Sequence, residues 1–312
     1  MASVAASPAS PAHERLVGGA VAAHPAGRAG FAGAVRSEFT KIKSVRSTYW
    51  TLLALLVACV GIGALFSWGQ TGRITRLEGL SRAHGGPVPV HQVAIGVAQL
   101  TTEIRSSAAA ISLFGLLIGQ LIIVVLGALT ITSEYSTGMI RTSLTTMPRR
   151  GTVFAAKALV FTGVALVTGL ITSFLAFFTG QAILSTQHLS VGLGQHDVLR
   201  SVIGGGLFLA VCGLLSFGLG AMLRHTAGAI ATGIGLLFVL MILSNFLPNP
   251  PSGWLGQADF DKWIPFYAGA HLWQSQMVGV NPFSPWIGFG VFCAYAAAAV
   301  AGGLVLFLRR DA

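Results

Sequence analysis

The chain has 312 residues, of which 54% are hydrophobic and only 9% charged, with a mean hydropathy of +0.76. Soluble domains carry about 25% charged residues to keep a wettable surface, so this composition excludes a water-soluble globular protein. The net charge of +10 does not signal nucleic-acid binding, because the basic residues flank apolar runs, where they orient a membrane protein. Three cysteines, Cys59, Cys212 and Cys293, sit singly inside apolar runs, which offers neither a disulfide framework nor a metal site.

Residues 1–30 are rich in Ala, Ser, Pro, Gly and His without a continuous apolar stretch. They read as a disordered cytoplasmic tail, not a signal peptide. Six apolar runs follow, at 49–68, 108–132, 153–184, 201–222, 227–247 and 286–308. A helix crosses the hydrocarbon with about 20 apolar residues. The runs lack period-2 alternation, so the expected fold is an all-α integral membrane protein with six transmembrane helices, residues 31–312 forming its one membrane domain. With the amino terminus inside, Lys and Arg divide 13 inside to 6 outside. The clearest bias is Arg36, Lys41, Lys43 and Arg46 before the first run, which places both termini in the cytoplasm.

The connections are unequal. Residues 70–107 read as a sizeable outer loop, 133–152 as an inner loop, and Arg224 and His225 as a very short inner turn. The segment 248–285 is long and carries Trp254, Trp263, Phe266, Tyr267 and Trp273 among prolines. Its apolar pieces are too short to cross, so it is either an interfacial or re-entrant element or an outer loop with aromatic anchors. Gly115 and Gly119 form a G-x-x-x-G that permits close helix contact, although 40 glycines make one such match expected by chance.

Several chemistries find no support. There is no G-x-x-x-x-G-K-[ST] phosphate loop, and Lys41, Lys43, Lys157 and Lys262 all lack the preceding glycine. No ionisable side chain falls at mid-depth, where ion-driven transporters keep relays; Lys157 lies near the cytoplasmic start of the third run. Ser216 stands among glycines without a His or Asp at its depth, and His84, His91, His188 and His196 fall in outer loops. No catalytic constellation, metal site or bound cofactor is expected.

Two stretches on the expected cytoplasmic face stand out. In VRSEFTKIKSVRSTY (35–49), Val35, Phe39, Ile42, Val45 and Tyr49 make one apolar stripe at helical spacing. This is either an amphipathic helix on the inner leaflet or a plain basic flank. In SEYSTGMIRTSLTTMPRRGTVFAAK (133–157), Ser133 can cap a helix whose positive dipole end favours Glu134. Met139, Ile140 and Leu144 give that helix an apolar side, Pro148 ends it and Gly151 permits a turn. A short charged helix of this kind suits docking into another protein's groove, or is an ordinary amphipathic loop.

With 37–50 (SEFTKIKSVRSTYW) and 133–157, the chain resembles the type-2 ABC transporter permeases, the membrane subunits of ATP-binding-cassette exporters, in their actinobacterial form. The resemblance runs from about residue 31 to the end. It implies a connecting helix before the first span, with Glu38, Phe39, Lys41, Ile42 and Arg46. It implies a coupling helix between spans two and three, with Glu134, Tyr135, Gly138 and Arg141 as the contact patch for a separate ATPase. Trp254, Trp263, Phe266, Tyr267 and Trp273 would belong to a re-entrant outer element. ATP and Mg are expected in that ATPase and not in this chain, and two permeases, identical or different, would pair in the plasma membrane beside lipid. The competing expectation is a scaffold or sensor that transports nothing and recruits a cytoplasmic partner.

Overall fold

The computed structural model describes residues 30–82, 90–139, 150–195, 197–246, 261–274 and 283–309. Every regular element among them is a helix: α1 Phe31–Ser44, α2 Arg46–Arg82, α3 Val90–Ser112, α4 Leu116–Ser136, α5 Arg150–Ser185, α6 Val198–Leu223, α7 Thr226–Ser244, α8 Pro265–Ala270 and α9 Pro285–Arg309. Six crossings are long and apolar enough for a bilayer: α2, α3 with α4, α5, α6, α7 and α9. Residues 1–29 of the expected tail 1–30 and the loop residues Ile140, Arg141, Leu144 and Arg149 lie outside the described residues, as does Trp254.

Helix α6 is the hub, with 72% of its most apolar window buried against 17–50% for the other crossings. Glycine is the reason. A Cβ on Gly218 would stand 2.6 Å from the Ala299 backbone of α9, and one on Gly169 of α5 would stand 2.9 Å from Gly206 O. Lipid gives helices no hydrophobic reason to associate, so close backbone packing supplies the attraction instead. Phe161, Phe208, Phe217 and Phe292 fill the remaining space around α6.

The structure departs from the sequence reading in three places. The outer loop 70–107 is mostly helix: α2 runs on to Arg82 and α3 begins at Val90. At 1.5 Å per residue, the 37 residues of α2 span about 55 Å, well beyond the hydrocarbon. Ile74 and Ile104 are both buried in this extension, so sparse apolar anchors hold a helix too polar to register as a span. The second crossing is interrupted at Leu113–Gly115, where Leu116 N donates to Leu113 O (2.9 Å) and Leu117 N to Phe114 O (3.2 Å), bonds of 3₁₀ type. There Gly115 and Gly119 both face Cys59 of α2.

The third departure concerns Ser133, which caps no helix. Helix α4 continues through Ser136, and Ser133 Oγ donates back to Leu129 O (2.6 Å). Glu134 therefore sits in the last turn of a membrane helix, at the negative end of its dipole, opposite to expectation. The two-residue turn at Arg224–His225 is as expected; Arg224 takes a left-handed φ of 54° and His225 Nδ1 accepts from Gly228 N (3.1 Å).

Candidate functional site: a buried charge cluster at the α1 end

Glu134 at the negative end of α4 needs a cation, and Lys157, one turn into the apolar part of α5, needs an anion. The fold brings them together. Lys157 Nζ donates to Glu134 Oε1 (2.7 Å) and to Glu38 Oε2 of α1 (2.6 Å). Lys41 Nζ closes the ring, donating to Glu38 Oε1 (2.7 Å) and Glu134 Oε1 (3.3 Å). Glu38, Glu134 and Lys157 are 5%, 7% and 5% exposed. Three elements distant in sequence are thus tied by four alternating charges.

The two α1 members of the cluster, Glu38 and Lys41, have their protonation set by their neighbours. Burial alone raises the Glu38 carboxyl, but Lys157 and Lys41 outweigh it and hold that carboxyl below its ordinary value of 4.5. Burial alone lowers the Lys41 ammonium, but Glu38 and Glu134 outweigh it and keep it above 10.5. Oxygen Oε2 of Glu134 is buried without a hydrogen-bond partner, so the cluster is not fully satisfied and remains sensitive to a change in packing.

Helix α1 divides its charged residues, with Arg36 and Lys43 exposed. Glu38 and Lys41 turn toward the protein beside Ala34 and half-buried Ile42. Phe39, Val45 and Tyr49 of the apolar stripe are 54%, 46% and 52% exposed. Arg46 opens α2 and is exposed. The remaining described residues of the expected contact patch are Tyr135 and Gly138. Tyr135 is half-buried under the Arg224 guanidinium, 4.9 Å from the ring centre. Gly138 is exposed at a φ of 68°, where glycine releases the chain from the helix. Sequence reasoning placed Lys157 near the start of the third apolar run, where the helix has it, but gave it no role. The signal was available: a lone lysine in an apolar helix requires a buried partner.

The outer aromatic residues gather at the opposite end of the bundle. Phe266 and Trp273 are buried, flanking Phe208 of α6 at 6.1 Å each. Helix α8 thus seats among the beginnings of α6 and α9, where Gly288 faces Ala268 O. Tyr267 reaches toward Met241 O (3.5 Å), and Trp263 stays 49% exposed, its ring against Phe283. His271 is buried with Nε2 unpartnered, and burial pushes it below its ordinary 6.5.

A bundle of six helices long and apolar enough to cross a bilayer, with a buried charge cluster at one end, defines a multi-pass membrane protein. The family model described as ABC-2 family transporter protein matches residues 35–312, and the chain belongs to that family. No curated protein matches it. Membership makes it a permease component of an ABC transporter in the plasma membrane, in a family that associates with an ABC ATPase subunit.

Proposed function

We propose that this chain is the membrane subunit of an ABC exporter, with both ends cytoplasmic, working as a pair of permeases driven by a separate ATPase. The observation that carries this reading is the Glu38–Lys157–Glu134 triad, which ties α1 to α4 and α5, the two helices that residues 140–149 join in sequence. A motor pressing on that segment or on α1 therefore displaces three elements together, two of them crossing the bilayer. Differential contact of the ATPase in its two nucleotide states then shifts the bundle between inward- and outward-open arrangements.

In this reading Gly138 and Arg141 lie at the contact with the ATPase, and Tyr135, clamped by Arg224, stiffens the base of the contact. Glu134 acts from beneath, as an anchor. The 261–274 segment with Trp263, Phe266, Tyr267 and Trp273 closes the far end of the path. The positive-inside distribution supports the orientation, and the absence of a phosphate loop supports a separate motor.

The test is co-expression of the full-length chain with its cognate ABC ATPase, reading both co-purification and ATP hydrolysis. Arg141→Ala is expected to weaken co-purification. Lys157→Met is expected to leave the ATPase bound but to reduce its response to the permease. Wild-type binding and hydrolysis in both variants would contradict the proposal. An ATPase that never binds would favour the scaffold or sensor alternative.

A further inference from the structure

Away from the charge cluster, α2 and the end of α5 enclose an open groove of about 750 Å³, lined by Trp68, Thr71, Gly72, Thr75 and Arg76 on one side and Ala182, Ile183, Thr186 and Gln187 on the other. Its size falls within the roughly 300–1,000 Å³ of small-ligand sites. The wall is graded. Trp68, 69% exposed, ends the first apolar run and lies where tryptophan marks the edge of a bilayer. Ala182 and Ile183 face it across the groove. Two turns farther along α2 stands Arg76, the one charged residue of the lining.

Arg76 is exposed and engages no ion pair or hydrogen bond among the described residues. Helical side chains lean toward the N-terminus of their helix, which on α2 is toward the bilayer. Arg76 Cα is about 12 Å beyond Trp68 along the axis, and its side chain reaches back over the groove. The threonine hydroxyls here donate to backbone carbonyls, Thr71 to Trp68 O (2.8 Å) and Thr186 to Ile183 O (2.8 Å). Their lone pairs stay available, and Gln187 adds an amide at the rim.

We propose that this groove binds an anionic phospholipid from the leaflet far from α1, its phosphate paired with Arg76 and its upper acyl chain lying between Trp68 and Ile183. Charge complementarity selects the occupant: a lone cation, no acid in the lining, and an apolar floor that continues into the membrane. The proposal is independent of the transport reading.

The test is native mass spectrometry of the full-length chain titrated with phosphatidylglycerol and with phosphatidylcholine. Wild type is expected to prefer phosphatidylglycerol, and Arg76→Gln to lose about fivefold in that preference. Ala182→Trp, which fills the groove, is expected to weaken both lipids. Arg73→Gln, outside the lining and bonded to Gln70 Oε1 (3.2 Å), is expected to change nothing. Arg76→Lys keeps the charge and is expected to keep the preference, which separates charge from any folding defect. An unchanged preference in Arg76→Gln, or an equal loss in Arg73→Gln, overturns the proposal. So does displacement of lipid by inorganic phosphate at equal concentration, which would mark a soluble-anion site. Disulfide-linked dimers of Thr75→Cys in native membranes would show a second copy on this face and overturn it equally.

Discussion

Lys157 neutralises two carboxylates from different elements, at 2.6 and 2.7 Å. Lys157→Met leaves both buried with only the more exposed Lys41 between them, and truncating one partner of such an arrangement costs about 3–5 kcal/mol. Thermal unfolding in detergent is expected to show that loss, and Glu134→Gln on the same background is expected to recover part of it, because the two sites are coupled. The pH dependence has a sign at each edge. Glu38 is held below 4.5, so its contribution is complete above that value and is lost as pH falls through the lower folded-state value. Lys41 is held above 10.5, so its contribution is complete below that value and is lost as pH rises through the higher one. A spin-label distance between α1 and α5 is expected to stay constant from about pH 5 to pH 10 and to lengthen in acid. Constancy through the pH at which the Glu38 carboxylate protonates, followed by its infrared band, would show that the cluster does not hold α1.

At the scale of the elements, close approach decides which glycines matter. A Cβ on Gly115 would overlap the Cys59 backbone, and one on Gly218 would stand 2.6 Å from the Ala299 carbonyl carbon. Gly163 on α5 has open space around it. Gly115→Ala and Gly218→Ala are expected to lower the melting temperature, while Gly163→Ala raises stability by about 0.5–1 kcal/mol through helix propensity. Equal effects at all three would contradict backbone-to-backbone packing. The same positions show what the sequence could reveal. Six crossings and the turn at Arg224 were legible because apolar length and a single basic break are strong one-dimensional signals. The polar extension of α2 was not, since Ile74 is its one buried apolar residue among the described ones. The 3₁₀ break after Ser112 was hidden because it lies inside an unbroken apolar run. Glu38, Lys41 and Glu134 were legible as charged residues near the inner face. Their convergence was not, because their partner Lys157 is 119 residues from Glu38, and nothing local reports such a contact.

At the scale of the whole molecule, the six crossings alternate, so α1, the end of α4, the start of α5 and the Arg224 turn share one end, and α8 shares the other. The account places the first group in the cytoplasm. Cys59 and Cys212 are fully buried, so single-cysteine labelling in a Cys293→Ala background reads introduced sites cleanly. Gly138→Cys is expected to react only after the membrane is permeabilised, and Gly194→Cys, in open space beyond α5, in intact cells. The reverse pattern would invert the molecule and remove the case for a cytoplasmic motor. Orientation alone does not establish coupling. The most direct measurement is vanadate-sensitive ATP hydrolysis co-purifying with the full-length chain from its native membrane, compared between wild type and Arg141→Glu. The account predicts activity that follows the wild-type chain and falls away with the charge reversal; a wild-type preparation that binds no ATPase at all would contradict it.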